Sequence, residues 1–179
     1  MKKIILDLCG GTGAWSKPYR DAGYDVRLVT LPDNDVRLYE PPENVYGILA
    51  APPCTHFAGS GARWWSEKGG GAILEGLSVV DACLRIVLLT EPNFWCLENP
   101  VGRLKNWIGP PEMYFNPCDY GDPWTKKTCL WGEFNIPEKT PVEPTEGSKI
   151  HRYPPSENRQ ELRSITPPGF AKAFFEANQ

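Results

Sequence analysis

Apolar residues fall in short dense runs separated by polar, glycine-rich and proline-rich stretches. Residues 3–8 (KIILDL), 26–31, 45–51 and 94–97 are runs of strand length, as expected of strands buried on both faces. Ile73, Leu77, Val80, Leu84, Val87 and Leu88 recur at helical spacing and predict an amphipathic helix over 72–89 packed on the sheet. Shorter helices are expected over 16–22, and over 170–177 behind Pro167-Pro168. Residues 113–118 and 128–131 flank Tyr120-Gly121-Asp122-Pro123, which predicts an antiparallel pair closing the sheet. Residues 137–155 are rich in Pro, Glu and Thr and read as irregular. Residues 56–71, with their glycines and with Trp64 and Trp65, read as a mobile loop able to close, or as a surface loop pinned by its tryptophans.

Composition narrows the class. The 179 residues suffice for one domain, and 41% hydrophobic with 23% charged residues is ordinary for a globular protein. Nineteen basic residues against 22 acidic leave a net charge of -3, which argues against a broad phosphate-binding face. No apolar run is long enough to span a bilayer, and Met1-Lys2-Lys3 leads straight into a strand rather than a signal peptide. Six cysteines without a CxxC pair, and two histidines, argue against a zinc site; the chain's size argues against a disulfide framework. A cytosolic (cytoplasmic) protein with no metal and no membrane partner is expected.

Two junctions carry candidate chemistry. The first strand runs into Asp7-Leu8-Cys9-Gly10-Gly11-Thr12-Gly13 and then a helix, the form of a nucleotide-binding βα unit in which glycines let a ligand approach the backbone. The run 45–51 is stopped by Pro52-Pro53, and Cys54 follows at the carboxyl end of the strand, where open α/β sheets place ligands. Cys54 is either a small buried hydrophobe or a reactive thiol. The strand over 94–97 repeats the arrangement with Glu98-Asn99-Pro100, so both ends are expected on one rim. Glu98 is either an exposed strand-end carboxylate or part of that site.

DLCGGTGAW, NDVR, APPCTHF, CLENP and YGDPWTKKTCLWG stand in one order along nearly the whole chain. Together they resemble the DNA cytosine-5 methyltransferases, in the short form found in phages and prophages. The resemblance implies an α/β, Rossmann-like S-adenosylmethionine-dependent methyltransferase fold, mostly parallel with an antiparallel C-terminal strand, as a single domain over 1–179. It implies Cys54 as the nucleophile that adds to carbon 6 of cytosine, in a site favouring the thiolate, and Glu98 as the acid at ring nitrogen 3. S-adenosylmethionine would lie against Asp7, Leu8, Cys9, Gly10, Gly11, Gly13 and Pro52. Asp35 and Val36 match the family's adenine-edge position, although Asp35 serves equally as a turn residue. Pro53, Asn99, Arg63, Lys126 and Thr128 would contact the substrate, and 164–170 resembles the family's last motif, which walls the cofactor pocket.

The chain departs from the family at three places. Thr30 stands where an acidic residue normally holds the ribose, with Asp33 a weak substitute. Lys126 and Thr128 fall on two arginines of the family, and a lysine lacks the bidentate fork. Residues 133–163 form a short stretch where the family carries a target-recognition domain; its Lys149, His151, Arg152, Arg159 and Arg163 either touch phosphates or are ordinary solvated charges. The expected partner is therefore single-stranded or distorted DNA, with a partner protein or a second copy for target selection. The alternatives are the same chemistry on RNA or a free cytosine nucleotide, and a non-catalytic S-adenosylmethionine-binding accessory subunit.

Overall fold

A computed structural model describes residues 2–179; Met1 and the side chain of His151 lie outside the described residues. Six strands, β1 (Ile4–Leu8), β2 (Asp25–Val29), β3 (Val45–Ala50), β4 (Phe94–Pro100), β5 (Met113–Phe115) and β6 (Thr128–Glu133), form one sheet in the order β2-β1-β3-β4-β6-β5. The pairs β1·β2, β1·β3 and β3·β4 are parallel, and β6 runs antiparallel to both β4 and β5. This is the expected α/β class, a mostly parallel sheet with one reversed strand near the C-terminus.

Consecutive strand residues alternate between two cores, which is why the runs are apolar throughout. Leu6, Ile48 and Leu97 pack with Val80, Cys83 and Ile86 of the long helix α2 (Trp65–Thr90) on one face. Ile5, Leu49 and Cys96 point the other way, into an aromatic cluster with Trp15, Tyr19, Phe170 and Phe174. That second layer is built by α1 (Lys17–Asp21) and α5 (Pro168–Ala177). Tyr19 Oη donates to the Asn178 carbonyl at 3.2 Å, and Asn178 and Asn135 exchange side-chain and backbone bonds at 2.8 and 3.0 Å. The end of the chain is thereby fixed to the segment leaving β6.

The structure differs from the sequence reading at 56–71. Residues Gly59–Trp64 form a 3₁₀ turn, and α2 starts at Trp65 rather than Ala72, interrupted at Gly69 (φ 66°). Glycine composition pointed to a loop, but tertiary bonds hold the turn: Lys68 Nζ donates to the Thr55 carbonyl at 2.7 Å, and Gly59 N to Val101 O at 2.9 Å. Two short helices escape the periodicity because each is barely a turn or two long: α3 (Lys105–Ile108) and α4 (Arg159–Ser164). Among the described residues, no helix is long and apolar enough to cross a membrane. The six cysteines are free.

Candidate active site

Strand order reverses at β1, between β2 and β3, and the carboxyl ends of β1, β3 and β4 open together on a cavity of about 1020 Å³. Open α/β sheets place ligands at such a point. Small-ligand pockets run to roughly 300–1,000 Å³, so this cavity stands at the large end of that range.

The turn after β1 makes one end of the cavity. Cys9 (φ 58°) and Gly11 (φ 55°) both adopt left-handed backbone, and Cys9 N donates to Val29 O at 2.7 Å. A Cβ on Gly10 would stand 2.2 Å from Asp7 Oδ1, so only glycine lets the Asp7 carboxyl fold beneath the turn. Asp7 is fully buried, its Oδ2 accepts the Ser16 hydroxyl, and its Oδ1 has no hydrogen-bond partner. Burial raises its pKa to about 6, against the lowering effects of Ser16 and the Arg20 charge. The folded protein therefore retains a proton that the unfolded chain loses near the ordinary 3.8. Stability from this group is fully present below that value and is lost as pH climbs through about 6. Asp7→Asn, which cannot ionise and still accepts the Ser16 bond, is expected to remove the pH slope across this window. It should stabilise the protein at neutral pH by up to about 3 kcal/mol, read from denaturant unfolding at a series of pH values.

The reactive end is built from the loop that leaves β3 and from the last residues of β4. The β3–β4 register brings Ala50 opposite Leu97, so Ala51-Pro52-Pro53-Cys54 and Glu98-Asn99-Pro100 emerge side by side. Asn99, 1% exposed, donates from Nδ2 to the Pro52 carbonyl at 2.9 Å and ties the two together. Beyond Cys54 a turn closes with Phe57 N and Ala58 N on the Cys54 carbonyl, both at 2.9 Å. Arg103 then stitches this turn to the β4 loop, through Nε to His56 O at 2.8 Å and its backbone N to Phe57 O at 2.9 Å. The approach of the loops is close enough that a Cβ on Gly102 would lie 1.9 Å from the Phe57 oxygen.

Of the residues singled out from the sequence, Cys54, Glu98, Asp7, Cys9, Gly10, Gly11, Pro52, Pro53, Asn99 and Lys126 line this one cavity. Leu8, Gly13, Asp35, Val36, Arg63 and Thr128 stand outside the lining. Leu8 and Val36 are in the core beneath α2. Asp35 is engaged by Arg37 at 2.6 Å, which also reaches Glu75 of α2 at 2.7 Å. Thr128 donates its hydroxyl to Lys126 O at 2.9 Å. The sequence reading missed Trp15, Thr125 and Gln160 as lining residues, and gave Arg159 and Arg163 no place in the cavity. Asn158 ahead of RQELRS was the available signal for α4, a capping residue before a run of helix formers. Lys126 Nζ donates to Arg163 O at 3.0 Å, anchoring α4 across the cavity.

Burial pushes the Glu98 carboxyl up, partly offset by the Lys126 charge, and its Oε2 is buried without a partner. Burial also raises the Cys54 thiol, and the nearby Glu98 charge raises it further, whereas Lys126 and Arg163 lower it. The expectation that the site favours the thiolate is thus not met: burial and the Glu98 charge outweigh the two cations. Among the described residues, no group of three or more His, Cys, Asp or Glu is placed to hold a metal.

No family model and no curated relative matches the sequence. The fold does have a counterpart among solved structures, a candidate DNA modification methyltransferase encoded within an E. coli prophage. The TM-score is 0.55 at 18% identity, over 79% of this chain and 52% of the other, so the match spans about half that protein's length. The chain thus has an α/β fold, with a six-stranded, mostly parallel mixed sheet, that resembles a methyltransferase structure.

Proposed function

We propose that this protein methylates carbon 5 of cytosine in DNA, using S-adenosylmethionine and a transient covalent bond to Cys54. The observation that carries the reading is the convergence of Cys54 and Glu98 in one cavity from adjacent strand ends joined by the Asn99–Pro52 bond.

The residues at the β1 end suit the cofactor. Asp7 holds an unpartnered carboxylate oxygen beside a turn in left-handed backbone, a match for a positively charged ligand with an extended tail. Asp7, Cys9, Gly10, Gly11 and Pro52 would hold it, with Leu8 and Gly13 shaping the turn, Asp35 and Val36 on the adenine side, and 164–166 opposite. A buried carboxyl that costs stability when ionised is consistent with a ligand-binding duty. When bound, S-adenosylmethionine supplies an electrophilic methyl group.

The protein's residues supply the rest. The Cys54 sulfur adds to carbon 6, and the displaced electron pair moves toward ring nitrogen 3, where the Glu98 carboxyl donates its proton. Carbon 5 becomes nucleophilic and accepts the methyl group. The carbon 5 proton then leaves to a base, the carbon–sulfur bond breaks as the nitrogen 3 proton returns to Glu98, and the thiolate is released. Burial raises the Glu98 carboxyl and so favours the protonated form that an acid needs, a form in which it does not oppose ionisation of Cys54. Lys126 and Arg163 are then the charges that act on the sulfur. Pro53 and Asn99 shape the base pocket, Thr128 holds the Lys126 backbone behind it, and Lys126 with Arg63 serves the substrate's phosphates.

Labelled methyl transfer by purified protein, into matched single-stranded DNA, duplex DNA, RNA and deoxycytidine monophosphate, tests the reading. Label is expected at carbon 5 of DNA cytosine, in single strands above duplex, because extruding a paired base costs a few kcal/mol. With a net charge of -3 and few cations to neutralise phosphates, duplex affinity should also be weak. Label on RNA or free nucleotide alone would reassign the substrate; label on none would overturn the catalytic reading.

A further inference from the structure

The loop that carries Cys54 and the chain beyond β4 continue, past the cavity, into a cluster of tryptophans and arginines of which the catalytic reading uses only Arg63. The Gly59–Trp64 turn lines the cavity with Ser60 and Gly61 and ends in Arg63 and Trp64, the guanidinium 4.9 Å from the indole. On the other side, Val101 lines the cavity and leads to Arg103 and α3. Arg103 lies over two indoles, Trp65 at 4.4 Å and Trp107 at 5.9 Å.

Exposure here is unusual for such large side chains. Trp64 is 45% exposed, Trp107 43% and Val101 40%, although tryptophan is usually among the most buried residues. Nothing in the fold requires Trp107 to lie at the surface; its inner edge rests on buried Phe57 at 6.0 Å. Arg103 is rigid, held by bonds to His56 O and Phe57 O, and its Nη2 is buried with no hydrogen-bond partner among the described residues. Flat indole faces set between fixed cations match the alternation of bases and phosphates along a single strand. Tryptophan and arginine are also enriched at protein interfaces, but this cluster runs on from the rim of the cavity at Ser60, Gly61 and Val101, where a strand leading from the target base would lie.

We infer that Trp64 and Trp107, backed by Arg63 and Arg103, form a stacking platform for the unpaired nucleotides that flank the target base. The inference rests on the catalytic reading for the position of that base, at the cavity beside Val101. It also assigns the substrate class, a single-stranded polynucleotide. A mononucleotide would fill the cavity and leave the platform empty. Stacking tolerates any base, so the platform grips without reading sequence.

The test is binding of a short, labelled, mixed-sequence deoxyoligonucleotide by fluorescence anisotropy, in single-stranded and duplex form, with a single-stranded RNA of the same sequence alongside. Trp64→Ala and Trp107→Ala should each weaken single-strand binding about tenfold, while Trp107→Phe keeps most of the affinity. Leu88→Ala, on the exposed flank of α2, should change nothing. Thermal unfolding confirms that each variant is folded, and Trp64, in an exposed turn, gives a second variant if Trp107→Ala is unstable. Wild-type affinity in both folded alanine variants, or duplex binding as tight as single-strand binding, would overturn the platform. Equal loss on RNA would support it, since stacking is indifferent to the sugar. No methyl transfer enters this measurement. Tryptophan-dependent binding without methylation would therefore refute the catalytic reading alone, and methylation without tryptophan dependence would refute the platform alone.

Discussion

Cys54→Ala is expected to lower methyl transfer by at least about 10⁴-fold, because removing the nucleophile of a covalent mechanism leaves only binding and electrostatic help. S-adenosylmethionine affinity, measured by calorimetry, should stay within about twofold, since most of the residues proposed to hold the cofactor lie at the β1 end of the cavity. The fold should tolerate the change: Cys54 is only partly buried, and the bonds that shape its turn come from its backbone carbonyl. A substrate fluorinated at carbon 5 should trap the wild-type protein covalently and release the alanine variant, because fluorine cannot leave as a proton does. Methylation that persisted in Cys54→Ala would refute the covalent route, whatever the fate of the cofactor site.

Glu98→Gln is expected to lower the rate by about 10² to 10⁴-fold, the usual contribution of a positioned general acid. It also has a second effect of opposite sense. Glu98's charge opposes ionisation of the neighbouring thiol, so glutamine should move the alkylation profile of Cys54 to lower pH while methylation falls. The pH dependence of the wild type follows from both groups. The rate needs the Cys54 thiolate and the protonated Glu98 carboxyl together, so ionisation of the thiol raises it with pH and ionisation of the carboxyl lowers it, giving a bell. In Glu98→Gln the descending limb should disappear. An alkylation profile unmoved by Glu98→Gln would show that the two groups do not sense each other.

How far the site was legible in the sequence depended on the distance over which each signal acts. Cys54 and Glu98 could be read because proline stops a buried strand abruptly, and two such stops on neighbouring parallel strands must share an edge. The glycine-rich turn was legible for a similar local reason, although the constraint at Gly10 comes from Asp7 three residues earlier, a packing fact without a sequence signature. The turn over 59–64 and the early start of α2 were not legible, since their support comes from Arg103 and Val101, some 40 residues away. Nor was the depth of burial around Cys54, which reverses the expected ionisation of the thiol. α4 was hidden for another reason: six helical residues in a Pro-rich stretch carry little periodicity, and the helix is held to the cavity through Lys126 rather than by an apolar stripe.

The single amide bond from Asn99 to the Pro52 carbonyl has a consequence of scale. Neighbouring strands of any hydrogen-bonded sheet lie about 4.8 Å apart, a spacing fixed by the peptide unit rather than by side chains. By joining two strand ends at their exits, the bond hands this constant to the groups that follow. The placement of Cys54 relative to Glu98 on the rim is then gauged by paired backbone rather than by side-chain packing. Substitutions in the core layers can soften or stiffen the domain without resetting that gauge. Loss of the Asn99 amide would leave both jaws in place and unfix the opening between them.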